Sequence, residues 1–101
     1  MKLKLTKAEF KALYALFSNM IVAAKPKGMQ TKLLHAILYK IYEQMYRKAI
    51  KDKKAYSLIL ETEQELAFWL FFSKFTLPSE MVFETNLIDR INDSIHQKHI
   101  S

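Results

Sequence analysis

The densest apolar run in the chain is AFWLFFSKF, residues 67–75. Fifty-five positions upstream, residues 12–20 are ALYALFSNM, with alanine, aromatic and serine residues at matching places. The match extends back to two leucine pairs, Leu3 with Leu58 and Leu5 with Leu60. We therefore predict two copies of one unit, residues 1–54 and 55–101, each organised around the helix that carries this run.

Each of these helices is preceded by a short segment with strand character and followed by a second helix. Residues 2–5 alternate polar and apolar side chains with the period of a half-buried strand, and residues 56–60 match them. The second helix of the first unit spans about residues 29–52, with Leu33 on its core stripe. The sequence predicts a mainly α (α+β) fold, in which four helices and a two-stranded antiparallel ribbon form two strand–helix–helix units related by a pseudo-twofold axis. The alternative is an all-α four-helix bundle.

Capping signals predict where the helices begin. Thr6 and Glu9 have the form of a capping box, in which each side chain bonds the main chain of the other residue. Thr62 and Glu65 have the same form, one residue later than the repeat predicts. The cluster at residues 76–80 combines a hydroxyl, a proline and an acid, which is typical of a helix start.

Length and composition limit the classes of protein that the chain can form. One hundred and one residues suit a single domain, 1–101. The absence of cysteine excludes a disulfide framework, a thiol nucleophile and a cysteine metal site. The basic start lacks the apolar run of a signal peptide, and the longest apolar run, 66–72, is far shorter than the ~20 residues of a membrane span. We therefore expect a soluble, cytoplasmic protein that does not bind membranes.

The net charge of +6 hides a division between the two halves. Residues 1–54 carry thirteen Lys and Arg against three Asp and Glu, a net of +10. Residues 55–101 carry three against seven, a net of −4. Basic surface attracts phosphates or acidic partners. The two halves also attract each other, either within one monomer or between copies.

The first helix of the second unit is apolar on two sides. Leu66 and Leu70 stand where the first unit has Lys11 and Ala15, and Trp69 lies beside them. Exposed contiguous apolar surface marks an interface, unless the chain covers that surface itself. Our leading hypothesis is a small non-enzymatic protein–protein interaction domain. It would bind a protein partner or itself, as a homodimer, through Leu66, Trp69 and Leu70.

An alternative function uses the outer side of the second helix. Tyr39 and Tyr46 fall on one line of that helix, and basic residues surround them. Basic groups contact phosphates, and tyrosines hydrogen-bond to or stack on bases. The plainer interpretation is that the tyrosines cover the core and the lysines are solvated. The alternative hypothesis is a nucleic-acid-binding accessory protein that contacts DNA or RNA through Lys32, Tyr39, Lys40, Tyr46, Arg47 and Lys54.

Catalysis has little support in the sequence. Gly28 is the sole glycine, so a phosphate-binding loop is excluded. His96 and His99 are spaced i, i+3, but a zinc site needs three or four ligands, and residues 96–101 are expected to be a frayed tail. Glu65 is explained as an acid that complements the dipole of a helix start. We expect no enzymatic activity, no cofactor, no metal and no small-molecule substrate.

Overall fold

The structure is a computed structural model that describes residues 1–100. Its elements follow in the order β1 (Lys2–Thr6), α1 (Lys7–Phe17), α2 (Met29–Lys48), β2 (Ala55–Ile59), α3 (Thr62–Lys74) and α4 (Val82–His99). A π-helical turn, Ser18–Val22, extends α1. Because β1 and β2 pair antiparallel, the predicted mainly α fold with a two-stranded antiparallel sheet is confirmed, and the all-α four-helix bundle is wrong.

The register of the sheet agrees with the predicted pseudo-twofold axis. Lys2 lies opposite Ile59, and a shift of 55 positions turns this pair into Ser57 opposite Lys4, which is also observed. Alternate residues of both strands are buried, so one face of the sheet covers the core and the other faces solvent. The pairing pattern therefore maps onto itself when the two halves of the chain are exchanged.

A single hydrophobic core draws on both halves of the chain. Phe17 and Phe72 are counterparts in the repeat, and their ring centroids are 6.0 Å apart. Phe68 packs against both rings, at 6.1 Å from Phe17 and 4.7 Å from Phe72. The helices α2 and α4 add buried residues that match at a spacing of 50, namely Leu38 with Ile88, Ile41 with Ile91 and Met45 with Ile95.

The start of α3 differs from the prediction. Its N-cap is Glu61 rather than Thr62, because the Glu61 side chain accepts from the main-chain N–H of Gln64. The Gln64 side-chain oxygen accepts in turn from the main-chain N–H of Glu61, at 2.9 Å. At an offset of 55, these residues are the counterparts of Thr6 and Glu9, whose capping box opens α1 as predicted. The repeat therefore continues without a shift from the strand into the helix.

The helix α4 begins later and ends later than predicted. It begins at Val82, and the cluster at residues 76–80 instead forms a turn ahead of it. The segment 96–101, predicted to be a frayed tail, is helical as far as His99, so that prediction is wrong for most of its length. Ser101 lies outside the described residues.

Candidate interaction surfaces

The outer face of α3 is apolar and uncovered. Leu66, Trp69 and Leu70 stand at positions i, i+3 and i+4 of the helix, and their side chains are 46%, 37% and 37% exposed. The opposite side of α3 is buried in the core through Phe68 and Phe72. Neighbouring helices therefore cover one side of α3 and leave three large apolar side chains at the surface of the described chain. We call these three residues the α3 face.

The repeat supplies an internal comparison for this surface. The counterpart of α3 is α1, and the counterparts of Leu66 and Leu70 are Lys11 and Ala15, both exposed. The same helix in the same fold thus carries an ordinary solvated face in one copy and leucines in the other. Because α1 has a charged and a small residue at these positions, packing within the fold does not require leucine there.

Trp69 lies beside a residue of α4. Its ring lies nearly parallel to the His96 ring, with centroids 6.3 Å apart and planes inclined by 12°. The corresponding residue of the first unit is Tyr14, which packs against Tyr42 of α2 with centroids 5.4 Å apart. Trp69 therefore lies on the side of the α3 face that borders α4.

Two of the three tyrosines of α2, Tyr39 and Tyr46, are also exposed, as nucleic-acid binding would require. Tyr39 is 44% and Tyr46 is 58% exposed, and their rings pack against Tyr42 at 5.7 and 6.4 Å. Hydrogen bonding to Tyr42, together with burial, raises the pKa of Tyr14 to about 12. The rings of Tyr39, Tyr42 and Tyr46 border a cleft of about 410 Å³, which is also lined by Val22, Glu43 and Arg47.

The basic residues of the alternative site are not gathered in that cleft. We call the cleft between these tyrosines the tyrosine cleft. Of the four basic residues predicted to contact nucleic acid, Arg47 alone lines it, beside Glu43. Lys40 joins Arg47 in a second cleft of about 510 Å³, which Glu61 also lines. Lys32 and Lys54 line neither cleft: one lies in the first turn of α2, and the other in the loop before β2. The six predicted residues are therefore divided, and carboxylates accompany the basic groups in both clefts.

A buried carboxylate joins α3 to α4, and this link was not predicted. The side chain of Glu65 is 0% exposed. It accepts hydrogen bonds from Lys98 Nζ at 2.8 Å and from the ammonium of Met1 at 2.6 Å, and His99 Nε2 lies 2.8 Å away. Burial alone would raise the pKa of Glu65, but these three groups together lower it to about 2.

The position of Glu65 on the helix contained a signal for this burial. Glu65, Phe68 and Phe72 are spaced i, i+3 and i+7, so the carboxylate shares the face of α3 that enters the core. A charge on a core face needs cationic partners, and the nearest cations in sequence do not supply them. Glu65 therefore does more than complement the helix dipole, since its buried carboxylate also contacts Lys98 and His99 of α4.

The two histidines of α4 serve different neighbours, His96 with Trp69 and His99 with Glu65. Within residues 1–100, no group of three or more His, Asp or Glu side chains is placed to hold a metal ion. Over the same residues, every helix is too short or too polar to cross a bilayer. The two candidate surfaces are the α3 face and the tyrosine cleft.

Comparison with known proteins adds no relative to this description. No protein-family model matches the chain, and none of the curated proteins or solved structures compared with it is a match. The class of the protein, mainly α with a two-stranded antiparallel sheet, follows from its own geometry. Its function has to be inferred from its surfaces.

Proposed function

We propose that this protein is a small non-enzymatic interaction domain that self-associates through the α3 face. The observation that supports this proposal is the contrast between the two copies of one helix. The copy in α1 has Lys11 and Ala15 at the surface, whereas α3 exposes Leu66 and Leu70 at the same positions. Exposed contiguous apolar surface that includes a tryptophan is typical of a protein interface.

The charges at the ends of α3 favour a second copy of this chain as the partner. Glu63 lies at the start of the helix and Lys74 at its end, both exposed, and they are about 16 Å apart along the axis. In an antiparallel pair of α3 helices in which Leu66 of one protomer faces Leu70 of the other, Glu63 lies within one residue of Lys74, about 1.5 Å along the axis. A surface that is complementary to itself in this way suits a twofold-symmetric dimer.

The oligomeric state tests this proposal. We expect sedimentation equilibrium to show a dimer for the wild-type protein, and Leu70→Glu to weaken association at least tenfold, because it places a charge inside an apolar contact. The matched control is Ala15→Glu, which introduces the same residue at the counterpart position in α1 and should leave the dimer intact. A monomeric wild-type protein, or a dimer that Leu70→Glu does not affect, would reject the proposal.

Charge reversal tests the antiparallel arrangement. Glu63→Lys and Lys74→Glu each place like charges opposite one another in such a pair, so each should weaken the dimer by a few fold, on the order of 0.5–1 kcal/mol. The double variant restores opposite charges and should recover the wild-type dissociation constant. If the double variant loses as much association free energy as the two single variants together, α3 does not pair with itself in this orientation.

We propose DNA or RNA binding as a second candidate function, because exposed Tyr39 and Tyr46 share a cleft with Arg47. Anisotropy with a labelled single-stranded oligonucleotide at low salt tests it. Arg47→Ala should weaken binding and reduce the salt slope by about one. The control is Gln97→Ala, which changes the counterpart of Arg47 on α4. No binding at low salt would remove this candidate.

A further inference from the structure

The hydrogen bonds of the sheet show which main-chain groups of β1 point outward. Leu60 donates its N–H to the carbonyl of Met1 at 2.8 Å, and the Met1 ammonium donates to the carbonyl of Leu60 at 2.7 Å. Antiparallel ladders alternate between such bonded pairs and pairs that do not bond each other. The Leu3–Leu58 pair is therefore hydrogen-bonded. Lys4, the next residue, belongs to a pair that does not bond, so its N–H and C=O point away from β2.

At the opposite edge of the sheet, a side chain occupies the outward main-chain groups of one residue, Ile59. Gln44 of α2 accepts from the N–H of Ile59 and donates to its C=O, both at 2.8 Å. Ile59 is the counterpart of Lys4 at an offset of 55, and Ser94 is the counterpart of Gln44 at an offset of 50. The Ser94 hydroxyl is too short for this task and donates instead to the carbonyl of Arg90 at 3.2 Å. Within residues 1–100, the outward N–H and C=O of Lys4 are left without a hydrogen-bond partner.

There is free space next to this open edge, and its rim is basic. A cavity of about 180 Å³ lies there, lined by Lys2, Leu3, Lys4, Arg90, Ile91 and Ser94. The side chains of Lys2 and Lys4 are exposed, on the face of the sheet away from the core. Arg90 is paired with Glu9 at 2.8 Å, so the two lysines are the charges that remain for a partner.

We infer that the open edge of β1 binds an extended, acidic segment of another protein, which adds to the sheet as a third strand. Main-chain hydrogen bonds to Lys4 would supply the binding, and acidic side chains at alternate positions of the segment would face the two lysines. A second copy of β1 is a poor occupant, because it would bring lysines opposite lysines. This surface is separate from the α3 face, so the inference goes beyond self-association.

The first test uses a fluorescein-labelled peptide in which Glu and Val alternate, with anisotropy as the measurement. We expect this peptide to bind the wild-type protein, and a peptide with Lys in place of Glu to bind at least about tenfold more weakly, since the rim is basic. Absence of binding by the Glu–Val peptide would overturn the inference, as would equal binding of both peptides. Leu70→Glu should leave peptide binding unchanged, which separates this inference from the proposed dimer.

The second test closes the edge of β1 with a glutamine side chain, as Gln44 does at Ile59. Ser94→Gln places an amide at the β1 edge, in the position that Gln44 has at the β2 edge. The amide should bond the outward main-chain N–H and C=O of Lys4 and so reduce the affinity for the Glu–Val peptide at least about tenfold. Ser94→Ala is the matched control and should bind like the wild-type protein. If Ser94→Gln binds the peptide as tightly as Ser94→Ala does, the segment does not add at this edge.

A third variant removes the donor itself. Lys4→Pro deletes an N–H that points away from β2, so the ladder between the strands is kept while strand addition is blocked, and binding should fall at least about tenfold. Ser57→Pro makes the equivalent change on the outer edge of β2 and should leave binding unchanged. Circular dichroism checks that both variants are folded, and the Ser94 pair decides the result if either is not.

Discussion

Leu3 and Leu58 face each other across the sheet, and each is the counterpart of the other in the repeat. Both side chains are buried against the helices. A rotation about an axis between these two residues exchanges β1 with β2, so the two units join at this pair. Beneath the sheet, Phe17 and Phe72 form a second pair of counterparts in contact. The core therefore exists only when both halves of the chain are folded together.

The first prediction concerns this shared core. Phe17→Ala removes a ring that is 0% exposed and packs against Phe68 and Phe72, so it should lower the free energy of unfolding by about 3–5 kcal/mol. Urea unfolding followed by circular dichroism measures the change. Phe75→Ala is the control, because Phe75 is half exposed, and it should cost less than about 1.5 kcal/mol. Equal costs would show that the core is not centred on Phe17.

The second prediction concerns the caps of α1 and α3. Thr6→Ala removes the acceptor for the Glu9 N–H and should cost about 1 kcal/mol. Thr62→Ala should change the unfolding free energy by no more than about 0.5 kcal/mol, because Glu61 and not Thr62 caps α3. Chemical unfolding of the two variants measures both. A larger loss from Thr62→Ala than from Thr6→Ala would contradict the observed cap.

The third prediction concerns the link between the two units. The Tyr56 hydroxyl accepts from the N–H of Lys53 at 3.0 Å and donates to the carbonyl of Lys51 at 2.8 Å. Its ring stacks on Phe10, with centroids 4.0 Å apart. Tyr56→Phe keeps the ring and loses both hydrogen bonds, so it should cost about 1–2 kcal/mol in thermal or urea unfolding. Tyr39→Phe, at an exposed ring, is the control and should be neutral; a neutral Tyr56→Phe would show that the hydroxyl does not hold the link.

The fold class could be predicted because its signals are local and occur twice. Alternation around Leu3 and Leu58 indicated strands, and the spacing of the apolar residues indicated helices. Whether a residue on an apolar stripe is covered depends on where a neighbouring helix crosses, which no local pattern contains. Leu33 lies on the predicted core stripe of α2 and yet is 62% exposed. The exposure of Leu66 and Leu70 could likewise be suspected from their spacing but not decided.

The boundaries that were wrong share a physical cause. Thr62 and Glu61 both have side chains that can cap a helix, and the strand register decides between them by fixing where β2 ends. The end of α4 was predicted to fray, but Lys98 and His99 bind Glu65, which lies 33 and 34 positions away in sequence. Contacts over such distances are set by the packing of α3 against α4, so a single sequence does not reveal them.

The fourth prediction follows from the depressed pKa of Glu65. The ordinary value is 4.5, and Lys98, the ammonium of Met1 and His99 surround the carboxylate in the folded protein, where its pKa is about 2. Below about pH 4.5 the unfolded chain binds a proton that the folded protein does not, so this contribution to stability is complete above that pH and is lost as the pH falls towards 2. Glu65→Gln should therefore lower the free energy of unfolding by about 2–3 kcal/mol at neutral pH and by progressively less in acid. Urea unfolding at several pH values measures this difference, with Glu80→Gln as the exposed control. A difference between wild type and Glu65→Gln that stays constant from pH 7 to about pH 3 would show that the ionised carboxylate is not what joins α3 to α4.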